Sequence, residues 1–391
     1  MTRVAYLCAD PGVPVFGTKG SSVHVQEIVR AWRGTGAAVT VYCTLLGTER
    51  PSDLADLDVV EVKPESVPAS ARERAVQDAA LGLADEVLRN GCGLFYERYS
   101  LFSPALSVVA RILDVPSVLE VNAPLIEEQQ RYRQLLDVKK AETVFRRNAA
   151  TADVVACVSD PVVRWVRARV PTARTVLAPN GVNVERITAR RPGRRNPDHL
   201  TVGFVGTLKP WHGVPGLLHG VALANQQTAD PGLRWQLHVV GDGPGRQDLE
   251  RLAESLGVPT VFSGAIAPAA VPGLLAEFDA AAAPYPPDGP GQDDYFSPLK
   301  VFEYMAAGLP VIASAVGQIP SIIQDGRTGI LVPPGDPAAL ADALLRLGQD
   351  PNLRERLGLE ARNDAVQRFS WSGVLSRITG ALPPARRLAR Q

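Results

Sequence analysis

Val202-Gly203-Phe204-Val205-Gly206-Thr207-Leu208-Lys209-Pro210-Trp211-His212-Gly213 decides the fold. A β-branched and aromatic run ends at Val205, a glycine turn follows, and a helical pattern starts at Val214. A strand that turns through glycine into a helix is half of a βαβ unit, and repeated units of that kind build a parallel sheet. The same alternation extends both ways. Upstream, strand-like runs at Arg3–Cys8, Ala38–Cys43, Gly93–Tyr96, Ser117–Val121, Asp153–Val158 and Thr175–Ala178 alternate with helical patterns, among them Val23–Arg33, Ala69–Asn90, Pro104–Leu113 and Ile126–Ala149. Downstream, strands at His199–Val205, Trp235–Gly241, Thr260–Phe262, Ala280–Ala283 and Val311–Ala313 alternate with helices at Val214–Ala224, Arg246–Leu256 and Lys300–Ala307. Between the halves stands Arg190-Arg191-Pro192-Gly193-Arg194-Arg195-Asn196-Pro197, which continues neither a helix nor a central strand and reads as a linker.

The expected architecture is therefore α/β, with two doubly wound Rossmann-like domains facing across a cleft. Their bounds are 1–187 and 198–368, and a C-terminal helix over 369–391 packs back on the first domain. Ligands of open parallel sheets bind at the carboxyl ends of the strands. Two such edges suit a group-transfer enzyme, with a donor in one half and an acceptor in the other.

Composition narrows the partners. Lys and Arg total 41 and Asp and Glu total 41 in 391 residues, so the formal charge is zero. A nucleic-acid binder needs a basic excess or face, so nucleic acid is not expected. Four cysteines (Cys8, Cys43, Cys92, Cys157) are dispersed with no CxxC, and read as core residues. No secretory leader and no apolar run near ~20 residues is visible, which favours a cytoplasmic chain. Arg and Lys on the helical stretch Glu127–Arg147 and in the tail Arg386–Arg390 allow at most peripheral membrane contact, because Glu127, Glu128, Asp137 and Glu142 dilute the charge. Asp56-Leu57-Asp58 has the form of a metal-binding DxD but lies in an acidic stretch, and no essential metal is expected. Oligomeric state is not legible. Only six cations are lysine, and three of them, Lys19, Lys209 and Lys300, lie in loops that follow or precede helices.

Three stretches carry chemistry. In Gly206–Gly213, free amides at a helix start suit a phosphate, with Lys209 and His212 as added cationic donors. In His238-Val239-Val240-Gly241-Asp242-Gly243-Pro244-Gly245, glycines allow close backbone approach to a flat ligand. In Phe296-Ser297-Pro298-Leu299-Lys300-Val301-Phe302-Glu303, Ser297 and Pro298 read as a cap and first-turn pair, Lys300 stands by the helix start, and Glu303 lies one turn on, where a carboxylate can hold a ribose diol.

The order and spacing of these stretches, with Gly17-Thr18-Lys19-Gly20, Pro179-Asn180-Gly181-Val182, Gly308-Leu309-Pro310 and Phe369-Ser370-Trp371, resemble family 4 glycosyltransferases of the two-domain GT-B fold, in the branch that carries Ser-Pro-Leu-Lys. The resemblance implies retaining, hexosyltransferase-type transfer from a UDP-sugar or other NDP-sugar, used as co-substrate with no separate cofactor. It assigns Glu303 to the ribose hydroxyls and Lys300 and His212 to the diphosphate, the three expected to carry catalysis. It assigns Gly17, Gly20, Gly206, Thr207, Lys209, Gly241, Gly243, Ile266, Ser297, Pro298 and Leu299 to donor binding, with Ile266 beside the nucleobase. The first domain then takes the acceptor, with Lys19, Glu97, Arg98, Glu120 and Asn122 as its polar candidates. Tyr295 stands where the family signature has its first acid, Thr207 where an Arg is frequent, His212 where a Lys is, and Asn122 near a frequent His. The acceptor is open between a small secondary metabolite such as an aminocyclitol and a cell-envelope lipid or polysaccharide. Readings of other kinds are an NAD(P)-binding oxidoreductase, which lacks a clean G-x-G-x-x-G here, a sugar-nucleotide epimerase, a phosphorylase, and an inactive sugar-nucleotide-binding partner.

Overall fold

The computed structural model describes residues 1–189, 199–228, 230, 233–287, 295 and 297–386. The chain divides into two compact units, Met1–Asn180 with Trp371–Gln391, and Gly181–Ser370. The linker-like stretch Arg190–Pro197 lies outside the described residues, as do residues 387–391 of the basic tail.

The first unit is built on β1 (Arg3–Cys8), β2 (Ala38–Cys43), β3 (Asp58–Glu61), β4 (Leu94–Arg98), β5 (Ser117–Val121), β6 (Val154–Cys157) and β7 (Thr175–Leu177). They form one parallel sheet in the order β3-β2-β1-β4-β5-β6-β7. Chain order reverses between β1 and β4, so a switch point lies there, where open α/β sheets hold ligands. The second unit carries β8 (Leu200–Val205), β9 (Trp235–Val240), β10 (Thr260–Gly264), β11 (Ala280–Ala283), β12 (Val311–Ser314) and β13 (Ile330–Val332), ordered β10-β9-β8-β11-β12-β13. Its switch point falls between β8 and β11. The central strands are apolar throughout because helices cover both faces; Leu237, Val239, Ala280 and Ala282 are buried on one side of the second sheet and Ala281, Ala283, Val311 and Ala313 on the other.

Local chemistry moved several expected boundaries. The helical stretch Ile126–Ala149 is two helices, Leu125–Tyr132 and Val138–Thr151. Between them the Glu73 carboxylate accepts from the Leu136 and Asp137 amides at 2.7 and 2.9 Å, and Asp137 caps the second helix through the Lys140 amide. The carboxylates of this region are engaged by arginine: Arg169 pairs with Glu127 and Glu142. The DxD-like stretch is divided. Asp58 begins β3, whereas both Asp56 oxygens accept from Arg33. Among the described residues no helix is long and apolar enough to cross a membrane.

Strand alternation also separates two neighbours that the sequence placed together. In register, Tyr6 pairs with Tyr96, and Arg98 with Glu120, so Tyr6, Tyr96, Arg98 and Glu120 share one face. Glu97 is on the other face, fully buried, where it accepts from the Leu106 amide at 2.7 Å at the start of helix Ala105–Leu113. It is thus placed to hold a helix start rather than to join Arg98 and Glu120. Burial pushes its pKa up to about 8, against the smaller opposing pull of Ser103 and the Leu106 amide. A carboxyl whose folded pKa is raised stabilises the fold fully below the usual range near 4.5 and loses that contribution as pH rises through 8. Thermal unfolding of Glu97→Gln is expected to show a shallower fall in Tm between pH 5 and 8 than the native chain, the fall being about 1 °C or more per pH unit in the latter. Parallel Tm curves would contradict a protonated Glu97.

Candidate functional site

The second unit gathers most of the donor-side residues at the carboxyl ends of its strands. After β8, the turn Gly206–Gly213 passes through a short 3-10 segment, Pro210–His212, into helix Val214–Gln227. After β9, the turn at Gly241–Gly245 leads into helix Arg246–Leu256. The two turns are joined: Gly206 N donates to Val240 O at 2.9 Å, Leu208 N to Asp242 O at 2.9 Å, and Gly245 N to Leu208 O at 3.2 Å. Gly241 has φ +139°, and a Cβ there would stand 1.9 Å from Gly206 O. The glycine at 241 is therefore demanded by the neighbouring turn, whatever ligand approaches. A Cβ at Gly243 would likewise crowd the Leu208 backbone at 2.8 Å. On the far side, Gly241 N donates to Gly264 O, which fixes the start of the stretch containing Ile266. Ile266 packs against the apolar cluster of Val240, Leu275 and Phe278.

Helix Leu299–Ala306 points its start at the same edge. Pro298 occupies its N-cap, and no side chain caps it. Ser297 stands one residue before the cap position, which proline occupies. Lys300, in the first turn, turns back over the β8 edge. Its ammonium lies 4.3 Å from the centroid of Phe204 and 5.3 Å from that of Tyr285. It is buried and has no hydrogen-bond acceptor among the described residues. A Cβ at Gly206 would stand 2.9 Å from Lys300 Nζ, so glycine there makes room for the ammonium. Burial lowers the Lys300 pKa to about 7, with Glu303 pulling weakly upward. Cation–π contact offsets part of that desolvation, at about 2 kcal/mol for a dry site, but supplies no counterion.

His212 belongs to the same group, 6.1 Å from Phe204 and 6.0 Å from Tyr285 between ring centroids. Its Nδ1–H donates to Thr207 O at 2.5 Å, which leaves Nε2 as the outward nitrogen. Burial and then the Lys300 charge push its pKa down to about 4, against the Thr207 carbonyl. The sequence presented His212 as a cation. In the folded unit it is neutral at physiological pH, because it shares a dry site with a lysine. Lys209 rests over Trp211, its ammonium 5.3 Å from a ring centroid. Tyr295 is buried, 8% exposed.

In the first unit, Gly17 is held by Gln26, whose amide donates to Val15 O and Gly17 O. Lys19 is the exposed N-cap residue of helix Gly20–Gly34. Glu120 is 5% exposed, and its carboxylate takes His24 Nε2 as partner. Burial works against the Glu120 charge, but His24 and Arg98 outweigh it and hold the pKa below the usual carboxylate range. Arg98 faces Glu120 and Asp10. Arg98 Nη1 is a buried donor without an acceptor among the described residues, and the Asn122 side chain bears on the Glu120 carboxylate. His24 was not singled out from the sequence for any role; a lone histidine on the buried face of an amphipathic helix was the available signal.

Two α/β units with all-parallel sheets, each with its polar groups at the strand ends, define a GT-B type of protein. Solved structures agree at the level of fold. HepE of Anabaena in complex with UDP superposes with TM-score 0.71 at 18% identity over 98% of this chain and 99% of that one. Sucrose-phosphate synthase of Thermosynechococcus elongatus gives 0.70 at 21%, covering 96% of each. Sequence profiles match in both halves: Glycosyltransferase Family 4 over residues 18–186 and Glycosyl transferases group 1 over residues 199–350. A GDP-mannose-dependent alpha-(1-6)-phosphatidylinositol monomannoside mannosyltransferase of Mycolicibacterium smegmatis is 30% identical over 64% of this chain and 67% of its own. This chain belongs to glycosyltransferase family 4. A D-inositol 3-phosphate glycosyltransferase of Actinosynnema mirum is 34% identical over 56% of this chain, and the alpha-D-kanosaminyltransferase of Streptomyces kanamyceticus 27% identical over 70% of this chain and 72% of its own. The match spans about half the length of the first of these curated relatives, 54%.

The interlocked turns yield a structural test. Gly241→Ala must adopt φ +139° and displace the Gly206 carbonyl, which is expected to lower stability by about 1–3 kcal/mol in urea unfolding. A variant as stable as the native chain would show that the turns do not bear on one another.

Proposed function

We propose that the chain transfers a sugar from a nucleoside diphosphate sugar, with UDP as the nucleotide, to an acceptor hydroxyl with retention at the anomeric carbon. The observation that carries this reading is Lys300: a buried ammonium with no acceptor among the described residues, in the first turn of a helix and beside two glycine turns. Such a site is short of an anion, and a diphosphate supplies one. Lysine suits this task as a point charge. Glu303, one turn along the same helix, is the proposed partner of the ribose hydroxyls. In the transfer, the bond from the anomeric carbon to the diphosphate oxygen breaks and a bond to the acceptor oxygen forms on the same face. The acceptor proton leaves on the diphosphate, so no strong protein base is needed. Lys300 and the helix amides stabilise the charge that grows on the leaving oxygen.

For the acceptor, the favoured class is a small hydroxylated or amino-substituted ring. The kanosaminyltransferase and inositol phosphate glycosyltransferase relatives support that class, and the mannosyltransferase relative supports a lipid-linked acceptor as the second reading. Transfer without a metal is part of the proposal.

Two outcomes are expected. UDP raises the Tm where NADH does not, and Glu303→Ala weakens UDP binding by about 1–3 kcal/mol in calorimetry; stabilisation by NADH alone would overturn the assignment. Lys300 titrates at about 7 in the free protein and His212 at about 4. An anion binds the protonated lysine better, so affinity for UDP-glucose is expected to fall as pH rises above 7, by up to roughly tenfold per unit. His212→Asn keeps that inflection and Lys300→Met removes it. An inflection that survives in Lys300→Met would assign the titration elsewhere.

A further inference from the structure

His212 and Lys300 share one place at the carboxyl edge of the second sheet, both set against Phe204 and Tyr285. They offer opposite chemistry there. A protonated lysine donates and cannot accept. For His212 the partner fixes the tautomer. Nδ1 stands 2.5 Å from Thr207 O, and a carbonyl oxygen only accepts, so Nδ1 carries the proton. In the neutral ring Nε2 is then a bare lone pair. It makes no hydrogen bond to a described residue and is not closed off from solvent. A proton on Nε2 would have to be held against burial and the Lys300 charge, which keep the His212 pKa down to about 4. Phosphate oxygens are acceptors too, so the bare nitrogen gives them nothing to bind. What it can take is a donor, an O–H or an N–H.

We infer that His212 Nε2 accepts a hydrogen bond from the C2 substituent of the transferred sugar, and so selects donors that carry an O–H or N–H there. The inference rests on the proposed function, in which Lys300 takes the diphosphate. The chemistry of a nucleoside diphosphate sugar then singles out one group, because the two ends of the diphosphate differ. On the nucleoside side the first hydroxyls lie beyond the C5′ methylene and the ring, and Glu303 is their proposed partner. On the sugar side the diphosphate oxygen is bonded to the anomeric carbon, and C2 with its hydroxyl or acylamino group comes next. The donor group nearest the diphosphate is therefore the C2 substituent, and the bare nitrogen beside Lys300 is the acceptor it meets. A lysine at 212 would serve the diphosphate a second time. A histidine in this tautomer serves the sugar.

Calorimetry at pH 7 with UDP, UDP-glucose and UDP-2-deoxy-2-fluoroglucose tests the contact. Fluorine is close to a hydroxyl in size but cannot donate. The native chain is expected to bind UDP-glucose about fivefold more tightly than the fluoro analogue, the worth of one neutral hydrogen bond. His212→Met is expected to bind the two with equal affinity, the loss falling on UDP-glucose rather than on UDP. His212→Gln, whose amide oxygen accepts, is expected to recover part of the preference. Equal affinities for the two sugars in the native chain, or an undiminished preference in His212→Met, would overturn the inference. So would a parallel loss of UDP and UDP-glucose affinity in His212→Met, which would put the ring on the diphosphate. A native chain that binds none of the three would sink the proposed function and this contact with it, whereas every other outcome leaves nucleotide binding standing.

Discussion

A buried ammonium resting on aromatic faces sets the terms for the second unit. Lys300 rests on Phe204 and Tyr285 and finds no acceptor among the described residues. Burying such a charge costs several kcal/mol, and aromatic faces return only part of it. The neighbours conform to that constraint. Gly206 carries no side chain where the ammonium lies, Gly241 lets the second turn lean on the first, and burial, then the Lys300 charge, push the His212 pKa down to about 4. The free site is therefore weakly charged. Under the proposed function, an anion entering it would draw protons onto Lys300.

The first unit handles charge differently. Arg98 and His24 face Glu120, and Asp10 faces Arg98, so the buried carboxylate of this unit has its partners within the unit. A buried pair of this sort adds little net stability but strongly resists loss of either member. It suits fixing the position of segments within the unit, since Asn180 and Trp371 both rest on His24.

Much of this was legible in the sequence, and the rest was hidden for physical reasons. The strand-turn-helix of Val202–Gly213 gave the parallel α/β architecture because glycine and period-2 runs act locally. Lys300 and Lys209 stood out as scarce lysines near glycines, and the structure brings Lys300 against Gly206 while Lys209 rests over Trp211. The short strands Asp58–Glu61 and Ile330–Val332 were missed, since three or four residues carry too little pattern. The break at Arg133–Asp137 depends on Glu73, more than sixty residues away. Glu97 was grouped with Arg98 although strand alternation already puts adjacent residues on opposite faces. The neutral His212 follows from burial beside Lys300, which only the fold creates.

The central claim is that nucleotide binding charges Lys300. Calorimetry of UDP-glucose binding at pH 8, in two buffers of different ionisation enthalpy, measures the protons taken up. With a free pKa of about 7, uptake is predicted to approach one proton per ligand, roughly 0.5–0.9, and to vanish in Lys300→Met. Tight binding by the native chain with no proton uptake would contradict the account.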